Sequence, residues 1–379
     1  TLGYSDVSLF AGGVASWKAA GGEVFKDVNV PSKSFGEFVE SKRHTPSLSA
    51  QEVKKMLDAK EDVVVVDVRR FDEYHTMSIP TGISVPGAEL VLRVPELAPN
   101  PKTKIIVNCA GRTRSIIGTQ SLINAGIPNE VNALRNGTIG WTLAGQELDK
   151  GQTRRFTEVS EGTANTAADR ARDVADRAGV KRASLADVEN WKAQKDRTTY
   201  FFDARTPEEY EEGHLPGFRS VPGGQLVQET EMVAPVRGAR IVLADPNGVR
   251  ANMPASWLAQ MAWDVYVLDG LQKEDLTESD AWHAPLPSLP HVNTVDAKTA
   301  STWLKTDSNT IAIDLSTHAN YVKGHIPGSW YVLRSQLTDA LKNIPQVDRY
   351  VLTSTPIELA IFAAAEFEAL SKAEVYVLE

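Results

Sequence analysis

The chain carries a single cysteine, Cys109, within KIIVNCAGRTRSIIGTQSLINAG at residues 104–126. A free cysteine often serves as a small buried hydrophobe, but these neighbours point to chemistry. Residues 105–107, Ile-Ile-Val, read as a strand buried on both faces. From Ser115 the apolar positions Ile116, Ile117, Leu122 and Ile123 fall largely on one helical face, which Gly126 ends. Cys109 therefore stands where a strand gives way to a loop and then a helix, the edge at which open α/β sheets bind ligands. The loop residues Ala110, Gly111, Arg112, Thr113 and Arg114 include no proline, so each offers an amide, and Gly111 lets the backbone curl. Amides converging at a helix N-terminus, with two guanidinium groups nearby, favour the anionic form of a sulfur. A thiolate in such a nest is a nucleophile aimed at an anionic substrate.

The elements that must position this loop recur along the chain. VVVVDVRRFDEYHTMSIPTGISVPG at 63–87 aligns with YFFDARTPEEYEEGHLPGFRSVPGG at 200–224 and with IAIDLSTHANYVKGHIPGSWYVL at 311–333. Each copy ends a strand on an aspartate: Asp67, Asp203 and Asp314. Cys109 follows Asp67 by 42 residues, Asp245 follows Asp203 by 42, and Ser354 follows Asp314 by 40. The thiol position is thus Cys, then Asp, then Ser. Each copy then runs through a helix into another strand, at 131–141, 265–271 and 375–379. The opening DVSLFAGGVASWKAAG at 6–21 matches the tail of a further copy, Trp17 standing to Gly12 as Trp141 stands to Asn136. It starts inside a repeat and without Met, so the N-terminus reads as a cut end.

This divides the chain into a remnant at 1–30 and α/β modules at 46–150, 184–284 and 291–379, the last short at its C-terminal end. Between them lie 31–45, 286–293 and a longer stretch at 151–183, whose AADRARDVADRAG suggests a solvated helix or linker.

A net charge of −9 argues against a nucleic-acid partner. No apolar run reaches membrane-spanning length, DVVVVDV being a buried strand. One cysteine excludes an intrachain disulfide and any multi-cysteine metal site. That suits the cytoplasm and leaves the periplasm open. The seven histidines scatter without metal-ligand spacing, and His214 and His325 read as structural parts of a G-H-x-P-G turn. Trp17 and Trp141 read as packing residues of a last helix.

The DVR at 67–69, EEYEEGHLPG at 208–217, NYVKGHIPG at 320–328, the loop CAGRTRS at 109–115 and the Gly-Gly-x-x-x-Trp at 12–17 resemble the rhodanese family of sulfurtransferases over nearly the whole chain. The resemblance implies tandem rhodanese-like domains, each an open, mostly parallel sheet flanked by helices. It implies a thiosulfate sulfurtransferase with no metal and no organic cofactor. Cys109 would take sulfane sulfur from a small anionic donor such as thiosulfate as a persulfide, then pass it to a thiol, cyanide or protein acceptor. Ala110, Gly111, Arg112, Thr113, Arg114 and Ser115 would hold the donor, Arg114 matching the arginine of the family's C-x-x-G-x-R-S loop. This copy departs in placing Gly111 one position early, with Arg112 where the glycine often stands. Its residues 78–81, Ser-Ile-Pro-Thr, also degrade the G-H-I/L-P-G turn, which reads as tolerated loop variation.

Asp67 and Arg69, at the neighbouring strand end, are expected to support the site. A structural alternative pairs Arg69 with Glu73 one turn later, as Asp203 and Arg205 with Glu208 or Glu209 would repeat. Related phosphatases use a longer C-x-x-x-x-x-R loop, and here Ser115 fills the place of that arginine. A scaffold, or a redox- or persulfide-sensing module, is the reading from another class, since two copies lack the thiol. The 184–284 copy is expected to be silent, because Asp245 sets a negative charge where the donor would sit and Pro246 removes an amide. Ser354 and Leu359 disarm the last copy. The positive loop also predicts that salt weakens donor use.

Overall fold

The β-branched and aromatic runs VVVVD, TYFFD and TIAID form the strands around which three five-stranded sheets assemble in the computed structural model, which describes residues 8–22 and 31–379. Of the described residues, one unit holds Gly22 and residues 31–282 and the other holds residues 8–21 with 283–379.

Two helices precede the first sheet, α1 (Gly13–Ala19) and α2 (Pro31–Arg43). The first module then runs β1 (Ser47–Leu48), α3 (Ala50–Asp58), β2 (Val63–Asp67), α4 (Phe71–Thr76), β3 (Ile83–Ser84), α5 (Leu90–Leu97), β4 (Lys104–Asn108), α6 (Thr113–Asn124), β5 (Val131–Leu134) and α7 (Gly137–Leu143). A capping box between Ser49 and Glu52 starts α3. The strand order is β1-β5-β4-β2-β3, every pairing parallel, with Asp67 in register beside Asn108. The central β2–β4 pair therefore brings the Asp67 turn and the Cys109 loop to one sheet edge.

Helix α8 (Glu161–Arg177) leads to the second module: β6 (Lys181–Ala183), α9 (Leu185–Ala193), β7 (Thr199–Asp203), α10 (Pro207–Glu212), β8 (Arg219–Ser220), α11 (Gly223–Gln228), α12 (Thr230–Val233), β9 (Arg240–Ala244), α13 (Val249–Gln260) and β10 (Asp264–Leu268). Its sheet has the same order, β6-β10-β9-β7-β8. The helix expected at AADRARDVADRAG forms, but the expectation that it is solvated is corrected. Ala167, Ala171, Val174 and Ala175 make a buried stripe on α8, because small apolar residues recur there at helical spacing beneath the charges. Ala167, Ala171 and Val174, with Val249 and Met253 of α13, join the apolar cluster containing Val66, Leu90 and Leu122, while Ala175 packs into the core of the second module. The first two modules thus share one core. Trp257 seals the joint, 2% exposed and donating from its indole nitrogen to Ser121 Oγ at 2.8 Å.

The other unit repeats the pattern with β11 (Thr294–Val295), α14 (Ala297–Thr306), β12 (Thr310–Asp314), α15 (His318–Lys323), β13 (Trp330–Tyr331), α16 (Leu337–Ala340), β14 (Arg349–Thr353), α17 (Glu358–Ser371) and β15 (Glu374–Leu378), in the order β11-β15-β14-β12-β13. Its core gathers Ile313, Tyr350, Phe367 and Val377. Of the expected 1–30 remnant, residues 1–7 and 23–30 lie outside the described residues. The described part includes α1, and its Trp17 is 49% exposed, whereas Trp141 is fully buried. Packing explains Trp141 but not Trp17, which meets Phe10 edge-on. Among the described residues, no helix is long and apolar enough to cross a membrane.

Candidate active site

Asp67 organises the strand ends around the loop. Its carboxylate accepts from the Arg69 backbone at 3.1 Å, from the Arg69 guanidinium at 2.9 and 2.7 Å, and from Asn108 Nδ2 at 2.7 Å. Arg69 also donates to the Met77 carbonyl at 2.6 Å. The expected partnership of Arg69 with Glu73 is therefore corrected: Asp67, two residues away and equally buried, satisfies Arg69 in its place. The same Asp–Arg fork recurs at Asp203 and Arg205, in a loop without a thiol. Asp67 and Arg69 thus brace the site from behind.

Cys109 follows β4 directly and is 2% exposed. Its thiol donates to Ser115 Oγ at 3.4 Å, and the Ser115 hydroxyl donates to the Arg112 carbonyl at 2.8 Å. Once the thiol proton leaves, that hydroxyl is in reach to donate to sulfur. The loop carbonyls are drawn the other way. The Cys109 oxygen accepts from the Thr138 amide at 2.9 Å, and the Ala110 oxygen accepts from the Ile139 amide at 3.1 Å, both at the start of α7. In a planar trans peptide the amide points opposite its carbonyl, so Ala110 and Gly111 turn their N–H groups away from α7. The first amides of α6 have no carbonyl one turn back in the helix. Together they form a cradle for an anion next to the sulfur.

This arrangement depends on Gly137 rather than Gly111. Gly137 has φ +54°, and a Cβ there would lie 2.1 Å from the Cys109 carbonyl oxygen. Gly111 has open space where a side chain would go, so it leaves the mouth unobstructed. In the sequence Gly137 lies four residues before Trp141, and only the tryptophan stands out there, as a packing residue.

Arg114, 15% exposed in its side chain, is locked by Glu73 of α4 through bonds of 2.6 and 2.8 Å. Burial works against ionised Glu73, but the Arg114 hydrogen bond and charge outweigh it and hold the carboxyl below its ordinary range. Arg112 turns outward to Glu37 and Glu40 of α2, which the sequence left as a stretch between copies. Thr113 lies under Gly36 of the same helix. Both arginines are thus engaged by carboxylates rather than presented as free charges.

The degraded turn is also visible. Thr81 adopts φ +66°, where Gly217 has +77° and Gly328 has +83° in the other copies. The turn shape is kept with a β-branched residue in a left-handed conformation. His214 stacks on Tyr210 at 3.7 Å between ring centroids and hydrogen-bonds the Tyr210 carbonyl, as the structural reading requires.

A family model described as the rhodanese-like domain matches residues 49–144 and 184–271. The crystal structure of a thiosulfate sulfurtransferase from Pseudomonas aeruginosa is 64% identical and covers all of this chain, which in turn covers 72% of it, with a TM-score of 0.95. The chain belongs to the rhodanese-like family. Two curated relatives match shorter segments. An HTH-type transcriptional regulator of Mycobacterium tuberculosis is 34% identical over 90 residues, 24% of this chain and 39% of the relative. A Bacillus subtilis protein named as a sulfur carrier is 28% identical over 97 residues, 26% of this chain and 51% of the relative. The rhodanese-like chain spans about half or less of each.

The two thiol-free rhodanese-like loops are filled from within. Asp245 accepts from the Arg250 amide at 2.7 Å and from its guanidinium at 3.0 Å, so its carboxylate occupies the loop as an internal anion. Arg250 also binds Glu209, as Arg114 binds Glu73, and reaches Glu89 of the first module at 3.3 Å. In the third loop, Ser354 Oγ donates to the Pro356 carbonyl at 2.7 Å and accepts from the Ala360 amide at 2.9 Å. Asn320 and Leu359 replace the Glu–Arg pair there.

Proposed function

We propose that this chain is a rhodanese-type thiosulfate sulfurtransferase whose reacting group is Cys109. The observation that carries the reading is the peptide geometry of the loop, with carbonyls tied back to α7 and amides left to face a small anion beside the thiol. The full-length match to a sulfurtransferase supports it. The Cys109 thiolate attacks the outer sulfur of thiosulfate. A new S–S bond forms to Cys109, the sulfur–sulfur bond to the sulfonate breaks, and its electron pair leaves on sulfite. The amides of Ala110 to Ser115 hold the donor oxygens and stabilise the leaving anion. Arg114, fixed by Glu73, adds positive charge from one side. Attack by cyanide, a thiol or a protein acceptor on the outer persulfide sulfur restores the thiolate.

In this reading residues 46–150 form the catalytic module, and the modules at 184–284 and 291–379 orient or recruit. The persulfide uses this chain's own sulfur, so no metal or organic cofactor enters the cycle. A lone thiol fits a reducing cytoplasm. The test is mass spectrometry after incubation with thiosulfate. One added sulfur on Cys109, removed by cyanide and absent in Cys109→Ser, is the expected result. Thiosulfate turnover at the parent rate by Cys109→Ser sinks the reading. Hydrolysis of a phosphotyrosine-like ester would favour the phosphatase alternative.

A further inference from the structure

Helix α2 precedes the matched family segment, yet it is built into the wall of the loop. Ser32 Oγ donates to the Gln228 carbonyl at 2.6 Å, Phe35 meets Trp257 edge-on with centroids 6.1 Å apart, and Val39 is buried with Ile116 and Ile117. A Cβ on Gly36 would come within 2.8 Å of the Thr113 side chain, so the helix lies directly against the start of α6. These contacts present Glu37 and Glu40 to Arg112. The guanidinium makes two bonds of 2.8 Å to Glu37, a third to Glu40, and one of 3.5 Å to Asn136 Oδ1. Asn136 immediately precedes the glycine that supports the Cys109 carbonyl, so this cluster stands at the rim of the loop. Its two carboxylates outnumber its one guanidinium, while the charge of Arg114 is already matched by Glu73.

We propose that Glu37 and Glu40 set the charge selectivity of the donor site, holding Arg112 away from the donor and disfavouring a dianion relative to a monoanion. The inference rests on sulfur transfer through Cys109. Two donors isolate the effect because they deliver the same atom. Thiosulfate is a dianion that leaves sulfite, and methanethiosulfonate is a monoanion that leaves methanesulfinate. In both, the thiolate attacks the outer sulfur and the electron pair of the broken S–S bond departs on the leaving group.

The experiment compares the full wild-type chain with Glu37→Gln/Glu40→Gln, using both donors and cyanide as acceptor at low and high salt. The variant is expected to raise kcat/KM for thiosulfate by roughly three- to tenfold, mainly through KM, and to raise it less for methanethiosulfonate. The gap between donors should shrink at high salt. A thiosulfate-to-methanethiosulfonate ratio unchanged at low salt, or an equal fall for both donors, overturns the proposal. A wild-type measurement keeps the test independent of variant folding: added salt should favour thiosulfate over methanethiosulfonate, and the opposite trend overturns it. If wild type takes sulfur from neither donor, the sulfur-transfer reading fails and this inference fails with it.

Discussion

At the scale of single residues, the paired use of Glu73 and Arg114 makes the sharpest claim. Arg114→Gln should lower kcat/KM by about ten- to a thousandfold, and Glu73→Gln by about ten- to a hundredfold, because an unanchored arginine no longer points one way. Glu73→Asp should recover part of the loss, which steady-state kinetics would reveal; wild-type kinetics in Glu73→Gln would remove this role. The pH response follows from the lowered Glu73 value. A carboxyl whose folded-state value is depressed contributes its stabilisation above the unfolded-state value and loses it as pH falls through the folded-state value. The pair should therefore stay intact through neutral pH, and its loss should appear only as an acid limb below the ordinary glutamate range. This pairing was hidden in the sequence. Glu73 and Arg114 lie 41 residues apart, while Arg69 stands one helical turn from Glu73 and offered the nearer match.

Among elements, the strand, loop and helix around Cys109 were legible because β-branched runs and helical periodicity are local signals. What holds the loop open was not, since it comes from α7 crossing behind it. Gly137→Ala should destabilise the protein by about 1–3 kcal/mol through backbone strain. It should also reduce turnover more than it reduces the folded fraction, because the displaced atom is the carbonyl of Cys109; a melting curve and an assay on the same sample separate the two effects. Thr81→Gly, by contrast, should stabilise by about 1 kcal/mol by relieving a left-handed threonine. An unchanged or lower Tm would contradict it. The buried face of α8 was present in the sequence as Ala167, Ala171 and Val174, but the charges between them concealed which side met a core.

For the molecule as a whole, repeat spacing revealed three similar modules but not which of them share an interior. That depends on surfaces distant in sequence, such as Trp257 meeting Ser121. Trp257→Ala should cost about 3–5 kcal/mol and weaken the first module as well as its neighbour, seen as one cooperative loss in denaturant. Deletion of residues 184–379 should likewise destabilise the first module, since Val249 and Met253 belong to its core; a truncated chain with parental stability would refute this.

The internal anion at Asp245 also shapes what evolution can do with the second module. Arg250 is shared among Asp245, Glu209 and Glu89, so one guanidinium closes its own loop and fastens it to the neighbouring module. Replacing Asp245 by cysteine restores a nucleophile in name but strips a carboxylate from that buried cluster. Asp245→Cys should melt earlier than the parent and gain no cyanide-labile sulfur at position 245. A reactive thiol at this position thus requires the joint to be rebuilt first, because the carboxylate that fills the loop also holds the guanidinium that fastens it to its neighbour.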